Sequence, residues 1–202
     1  MVIYSIHPVN PQKRHLEAAV RILKQENGVA VYPTDTVYGM GACVSNHRAI
    51  DRISMILHKD KNRLFSFICA DFSQISAYAR MDNAHFKLMK RYLPGPYTFI
   101  LPATHFVPKK ISPKRKTVGI RIPDYPPIAQ LVGLLGEPMA NTSIGLPGTL
   151  RGDPAEVKNA LPHDVDVMLD AGTLPDPTGS TIIDITGDAP VLIRQGKGIW
   201  KD

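Results

Sequence analysis

The sequence predicts an α/β or α+β fold with a mixed sheet. Three observations carry that expectation. Apolar runs of β type alternate with stretches whose apolar residues recur every three or four positions, from one terminus to the other. The length, 202 residues, suits one large domain, and no shift in composition divides the chain. The 18 prolines are scattered, so they punctuate loops rather than mark a linker. One domain over residues 1–202 is expected.

In order, Val2 to Tyr4 reads as a short first strand. Asn10 and Pro11 suit an N-cap and first helical position, and Leu16, Ala19, Val20 and Leu23 fall on one helical face that Asn27-Gly28 closes. A strand over Val29 to Pro33 follows. Asn46 caps a second expected helix with an apolar stripe of Ile50, Ile53 and Leu57. Leu64 to Ala70 is a continuous β-type run, and Asp82 starts a helix carrying Phe86, Met89 and Leu93. Pro94-Gly95-Pro96 is a hard turn. Tyr97 to Leu101 and Thr117 to Ile122 read as strands, Pro127 to Leu135 as a helix, and Met139 to Thr142 as a short buried strand. Ala155 to Leu161, Val165 to Leu169, Thr181 to Ile185 and Val191 to Arg194 complete the alternation.

Hydrophobic residues make up 44% and charged residues 21%, ordinary values for a soluble globular protein able to bury a full core. No apolar run approaches the roughly 18 residues of a membrane span, and the first residues lack the layout of a secretory signal. Cys43 and Cys69 sit among apolar or small residues without a partner at metal-ligand spacing, and read as reduced core residues of a cytoplasmic protein. The formal charge of +6 favours an anionic partner such as a nucleotide or RNA. Basic residues cluster at Lys109, Lys110, Lys114, Arg115 and Lys116, at His58, Lys59, Lys61 and Arg63, and at Lys87, Lys90 and Arg91. If these converge they form a positive concave face; otherwise they are solvated loops.

The densest chemistry lies in YPTDTVYGMG, Tyr32 to Gly41. Val29-Ala30-Val31 leads into it, so it reads as a buried strand ending in a polar turn. Thr34, Asp35, Thr36 and Tyr38 crowd hydroxyls, a carboxylate and a phenol into five residues. Gly39 and Gly41 permit positive φ or close approach of a ligand. Ligands of open α/β sheets bind where strands end, which makes this turn the first candidate site. No Ser-His-Asp arrangement accompanies it.

Five more segments follow: LPGPYTFILP (93–102), KTVGIRIPDYP (116–126), EPMANTSIGLPG (137–148), GSTIIDITG (179–187) and VLIRQGKG (191–198). With the opening motif, in this order and spacing, they resemble the YrdC/YciO family over nearly the whole chain. The IHPVNPQKR-like start and the RKTVGIRIP segment resemble its YciO branch. The resemblance implies a single domain with a twisted, open mixed sheet, flanking helices and a positively charged concave cavity. It also implies threonylcarbamoyl-AMP synthesis from ATP, L-threonine and bicarbonate with release of pyrophosphate, a step toward a modified adenosine in tRNA. Mg²⁺ is the expected helper, and tRNA or other structured RNA a further partner. Adenylate formation is in-line attack at the α-phosphate, so positioning and charge neutralisation suffice and no nucleophilic side chain is required.

By the same resemblance, Thr36 contacts the amino acid, Arg121 holds its carboxylate, and Asn141 and Ser180 line that region. Lys59, Arg63, Thr117, Ser143, Arg151 and Arg194 match nucleotide contacts. Read without the family, these are a strand threonine, turn serines and loop charges. Arg121 and Arg194 stand out because each sits on or beside an apolar strand, where an arginine has a specific anionic partner. The chain departs from the active synthases in three places. Leu57 and Lys59 stand where they carry a Lys-x-Arg pair, Ser143-Ile144-Gly145 replaces Ser-x-Asn, and Ile68 replaces a histidine. Each lost charge-assisted contact costs about 1.5–3 kcal/mol, tenfold or more in rate. Two readings follow: a synthase of weak or altered activity, or a non-catalytic RNA-binding protein using the same basic cavity.

Overall fold

Side chains alternate sides along a strand, so the parity of a residue decides which layer it joins. Here that alternation sorts the chain into two cores and one open face. A computed structural model describes residues 1–25, 27–57, 65–108, 111, 116–145, 148–161 and 165–201. In chain order its elements are β1 (Val2–Ser5), α1 (Lys13–Leu23), β2 (Ala30–Tyr32), β3 (Gly39–Cys43), α2 (His47–Ile56), β4 (Ser66–Ile68), α3 (Phe72–Tyr78) and α4 (Asn83–Met89). Then come β5 (Tyr97–Pro102), β6 (Thr117–Arg121), α5 (Pro126–Leu135), β7 (Met139–Ser143), a 3₁₀ turn (Gly148–Gly152), α6 (Pro154–Ala160), β8 (Val167–Asp170), β9 (Thr181–Asp184) and β10 (Val191–Arg194).

All ten strands join one open mixed sheet in the order β1-β8-β2-β3-β7-β4-β6-β5-β9-β10. The expected α/β class, mixed sheet and flanking helices are all present. On one side, Val31, Met40, Ala42, Phe67, Phe99, Ile120, Ala140, Met168 and Ile183 pack with α2 through Ile50 and Ile53, α3 through Ile75, α4 through Met89 and α6 through Val157. On the other side, Ala30, Tyr32, Cys43, Ile68, Met139, Val167 and Leu169 pack under α1 and α5. These two helices also pack against each other. Their apolar stripes, Leu16, Ala19 and Leu23 on α1 and Ile128, Leu131 and Val132 on α5, are fully buried.

The α1–α5 layer covers only part of its face. On β7, Met139 belongs to the covered core, while Asn141 and Ser143, at the same parity, line a cavity. On β4, Ile68 is covered and Ser66 lines the cavity. The functional candidate is therefore the uncovered continuation of a core face.

Several boundaries differ from expectation. α1 begins at Lys13, with Gln12 at its N-cap and no side-chain cap. His7 Nδ1 accepts the backbone N–H groups of Val9 and Asn10, which engages Asn10 in the preceding turn instead. Asn46 caps α2 as expected, accepting from Ala49 N at 3.1 Å. α4 starts at a capping box between Asp82 and His85. The sequence reading assigned no element to β3, to α3 or to the 3₁₀ turn. Cys43 and Cys69 are free, buried thiols; burial pushes Cys43 up to about 12 and Cys69 also upward. Among the described residues no helix is long and apolar enough to cross a membrane.

Candidate functional site

The cavity, about 640 Å³, is floored by transverse rows of the sheet. One row follows from register alone: Asn141 on β7 pairs with Ser66 on β4, Ser66 with Gly119 on β6, Gly119 with Ile100 on β5, and Ile100 with Asp184 on β9. All five line the cavity. Strand parity then brings in Thr117 and Arg121 on β6, Thr98 on β5, Ser143 on β7 and Ile182 on β9.

The rim comes from the turn after β2. Thr34 Oγ1 donates to Val37 O at 2.7 Å and accepts from the N–H groups of Thr36 and Val37, which locks the turn. Arg121, 4% exposed, reaches this turn from β6. Its Nη2 donates to Thr36 Oγ1 at 2.7 Å and to Asp35 Oδ1, while Asp35 Oδ2 accepts from Asp124 N at 3.1 Å. Among the described residues, the buried Arg121 Nε has no hydrogen-bond partner, an orphaned donor beside the cavity. Tyr38 N donates to Arg151 O at 2.9 Å, tying the 3₁₀ turn to the same rim and bringing Arg151 to the cavity.

The far wall is built around Ser180. Arg194 donates to Ser180 O through Nε at 3.1 Å and Nη2 at 2.7 Å, and Ser180 Oγ lies 2.9 Å from Thr98 Oγ1. The pairing of β10 with β9 explains how Arg194 arrives there. Leu192 pairs with Ile183 but Arg194 pairs with Ile182, so one residue bulges between them. Without that bulge, Arg194 would share the face of Leu192 and Ile183; with it, Arg194 shares the cavity face of Ile182. The tail behind β10 braces this wall: Lys197 N donates to Gly179 O, Gly196 N to Thr181 Oγ1, and the Tyr97 hydroxyl to Ile199 O. Burial, with Arg151 and Arg121 nearby, pulls the Arg194 guanidinium below its ordinary value.

Of the ten residues named from the sequence, the structure gathers Thr36, Thr117, Arg121, Asn141, Ser143, Arg151, Ser180 and Arg194 on this one cavity. Lys59 and Arg63 lie outside the described residues. Of the described cations of the cavity, the three basic clusters supply only Lys116. Lys87, Lys90 and Arg91 are exposed and absent from its lining, and of the described cluster residues only Lys116 reaches it. His58, Lys61, Lys109, Lys110, Lys114 and Arg115 lie outside the described residues. The described charged lining is Lys116, Arg121, Arg151 and Arg194 against Asp184. Among the three departures, Leu57 packs against one core, Ile68 is fully buried in the other, and Gly145 adopts φ +52°.

Sequence reasoning passed over Ser66, Thr98 and Asp184. The available signal was a polar residue interrupting apolar β runs, in Phe65-Ser66-Phe67 and Tyr97-Thr98-Phe99. Of the two roles expected of Gly39 and Gly41, positive φ is not found, while Gly39 does line the cavity. Neither has positive φ; both sit inside β3. A Cβ on Gly41 would lie 2.4 Å from the Tyr32 hydroxyl and 2.7 Å from Ala140 O, and one on Gly39 would lie 2.5 Å from Asn141 Oδ1. The glycines make room for Tyr32. Gly41→Ala is accordingly expected to cost about 1–3 kcal/mol, as overpacking does, measured by urea denaturation.

Among the described residues no cluster of three or more His, Cys, Asp or Glu is placed to hold a metal ion. Asp184, whose Oδ1 accepts from Thr186, is the described carboxylate of the lining. Mg²⁺ binds through one or two carboxylates plus substrate phosphates, so this donor set fits an ion arriving on a triphosphate.

The family model for Sua5, YciO and YrdC proteins, described as "Telomere recombination", matches residues 22–196. YciO of Escherichia coli K12 is 43% identical over 199 residues, covering 96% of this chain and 95% of that protein. Its crystal structure superposes with a TM-score of 0.90 over 98% of both chains. A threonylcarbamoyl-AMP synthase of Vibrio vulnificus is 31% identical over 77% of this chain and 85% of its own length. The crystal structure of P. abyssi Sua5 complexed with L-threonine gives a TM-score of 0.89 at 27% identity, covering 97% of this chain and 58% of that one.

Proposed function

The chain belongs to the Sua5/YciO/YrdC family, and on that premise we propose that its cavity binds ATP and L-threonine for synthesis of threonylcarbamoyl-AMP, with weak or altered activity. The observation that carries this reading is the convergence of Arg121, Arg151 and Arg194 with Thr36 and Ser180 on one cavity. These residues are far apart in sequence, and a triphosphate requires several converging cationic donors.

Arg121 and Thr36 hold the amino-acid carboxylate, with Asn141 and Ser180 beside it. Arg151 and Arg194, with Thr117 and Ser143, take the phosphates; Lys59 and Arg63 belong to the same reading. The threonine amine attacks bicarbonate to form a carbamate with loss of water. A carbamate oxygen then attacks the α-phosphorus in line, the bond to the bridging oxygen breaks, and pyrophosphate leaves. The arginines offset charge on the phosphoryl oxygens, and Arg121 fixes the nucleophile's approach. Mg²⁺, when present, neutralises phosphate charge. The modest rate follows from Leu57, Ile68 and Gly145, each lacking a polar group that synthases of the family carry.

The RNA-binding reading rests on the +6 charge and on the 109–116 cluster, whose described member Lys116 lines the cavity, while the α4 cluster stays clear of it. Pyrophosphate release with ATP, threonine and bicarbonate tests the first reading. Turnover above that of the Thr36→Ala, Arg121→Ala double variant is expected. Turnover no higher than that variant's, with salt-sensitive RNA binding and no ATP-induced rise in melting temperature, would favour the second reading.

A further inference from the structure

Tyr32, Asn141 and Ser66 form a buried polar chain running from beneath α1 and α5 to the cavity. The Tyr32 hydroxyl, with Tyr32 fully buried, donates to Asn141 Oδ1 at 2.8 Å. Asn141 Nδ2 donates to Ser66 Oγ at 3.2 Å. Burial keeps Tyr32 protonated by raising its pKa well above the ordinary range, so it acts as a donor throughout the working pH range. Its O–H orients the Asn141 amide with Oδ1 inward and Nδ2 toward Ser66. The Ser66 oxygen thus receives a hydrogen bond from behind, and its own proton is left for the cavity that Ser66 lines. The chain exists only because β3 carries glycine at the two positions where a Cβ would meet Asn141 Oδ1 and the Tyr32 hydroxyl.

We infer that Ser66 is a specificity residue, a hydroxyl donor aimed by Tyr32 through Asn141, that selects an amino acid carrying an oxygen on its side chain. This rests on the amino-acid reading of Arg121 given above. Ser66 pairs with Gly119, two residues before Arg121 on the neighbouring strand, an offset of about 7 Å along the sheet. A small amino acid reaches about 4–5 Å from a carboxylate oxygen to its side-chain oxygen, so with a hydrogen bond of about 3 Å at its end it bridges that offset. Gly119 has no side chain to block the path. A β-hydroxyl oxygen accepts from Ser66; a methyl in its place leaves that donor unpaired in a closed site, which is how enzymes reject such analogues. Tyr32 touches no ligand and is a positioning residue.

Calorimetric titration of L-threonine and of its isostere L-valine, in the presence of a non-hydrolysable ATP analogue, tests the inference. Wild type is expected to prefer threonine. Ser66→Ala should shrink the threonine-to-valine preference about tenfold, mainly by weakening threonine. Ser66→Thr should restore it, and Tyr32→Phe should reduce it about threefold while the ATP-induced rise in melting temperature persists. A preference in Ser66→Ala within twofold of wild type, or an equal loss of both ligands, overturns the inference and leaves the functional reading standing. Wild type that binds no threonine removes that reading and overturns the inference with it.

Discussion

Arg121→Ala is expected to lower folding stability by about 3–5 kcal/mol and to abolish amino-acid binding. The Arg121 and Asp35 side chains are only 5% and 10% exposed, so removing the arginine leaves a buried carboxylate without its counterion. Such a loss far exceeds that of a surface pair, which contributes about 0–1 kcal/mol. The pair also couples two elements, since Asp35 holds the Asp124 backbone at the end of β6 while Arg121 holds Thr36. Urea denaturation should show Asp35→Ala to be similarly damaging. The Asp35→Asn, Arg121→Met double variant should recover much of the loss, because no unpaired charge then remains. A cost below about 1 kcal/mol for Arg121→Ala would mean that the pair behaves as if solvated.

The second large effect concerns the β10 bulge. Arg194→Ala removes the side chain that the bulge turns to the cavity face. The fold should tolerate this, because β10 is an edge strand whose Val191, Leu192 and Ile193 are all exposed. The cavity loses a guanidinium, and Ser180 loses the donors that fix its carbonyl. Losing a charge-assisted contact costs about 1.5–3 kcal/mol, so ATP affinity should fall between tenfold and about a hundredfold. Deleting Ile193 should instead keep most of the affinity in a calorimetric titration, because Arg194 then follows Leu192 directly and stays opposite Ile182. An Arg194→Ala variant that keeps wild-type affinity would show that this arginine is irrelevant to nucleotide binding.

The layered fold was legible because buried strands and amphipathic helices leave local patterns. Val29 to Tyr32 and the Leu16-Ala19-Leu23 stripe need nothing beyond alternation and helical periodicity. β3 was not legible, because Gly-Met-Gly looks like a turn until Tyr32 is seen lying across it. The bulge that aims Arg194 was hidden for a different reason: it is a mismatch between two strands, and neither strand shows it alone. The motif match brought the arginines of the cavity into view, whereas charge density pointed to Lys87, Lys90 and Arg91, which face solvent. Charge clusters on helix ends are solvated by default, while single arginines at apolar strand ends require a partner. Ser66 stayed unnoticed because its meaning depends on Tyr32 and Asn141, each distant in sequence.

Co-crystallisation with ATP and L-threonine tests most directly whether this uncovered face is a phosphate-binding hollow. The expected density places the triphosphate against Arg151 and Arg194 and the threonine carboxylate on Arg121 beside Thr36. A nucleotide lodged elsewhere on the protein, with the cavity filled only by solvent at saturating ATP, would contradict it.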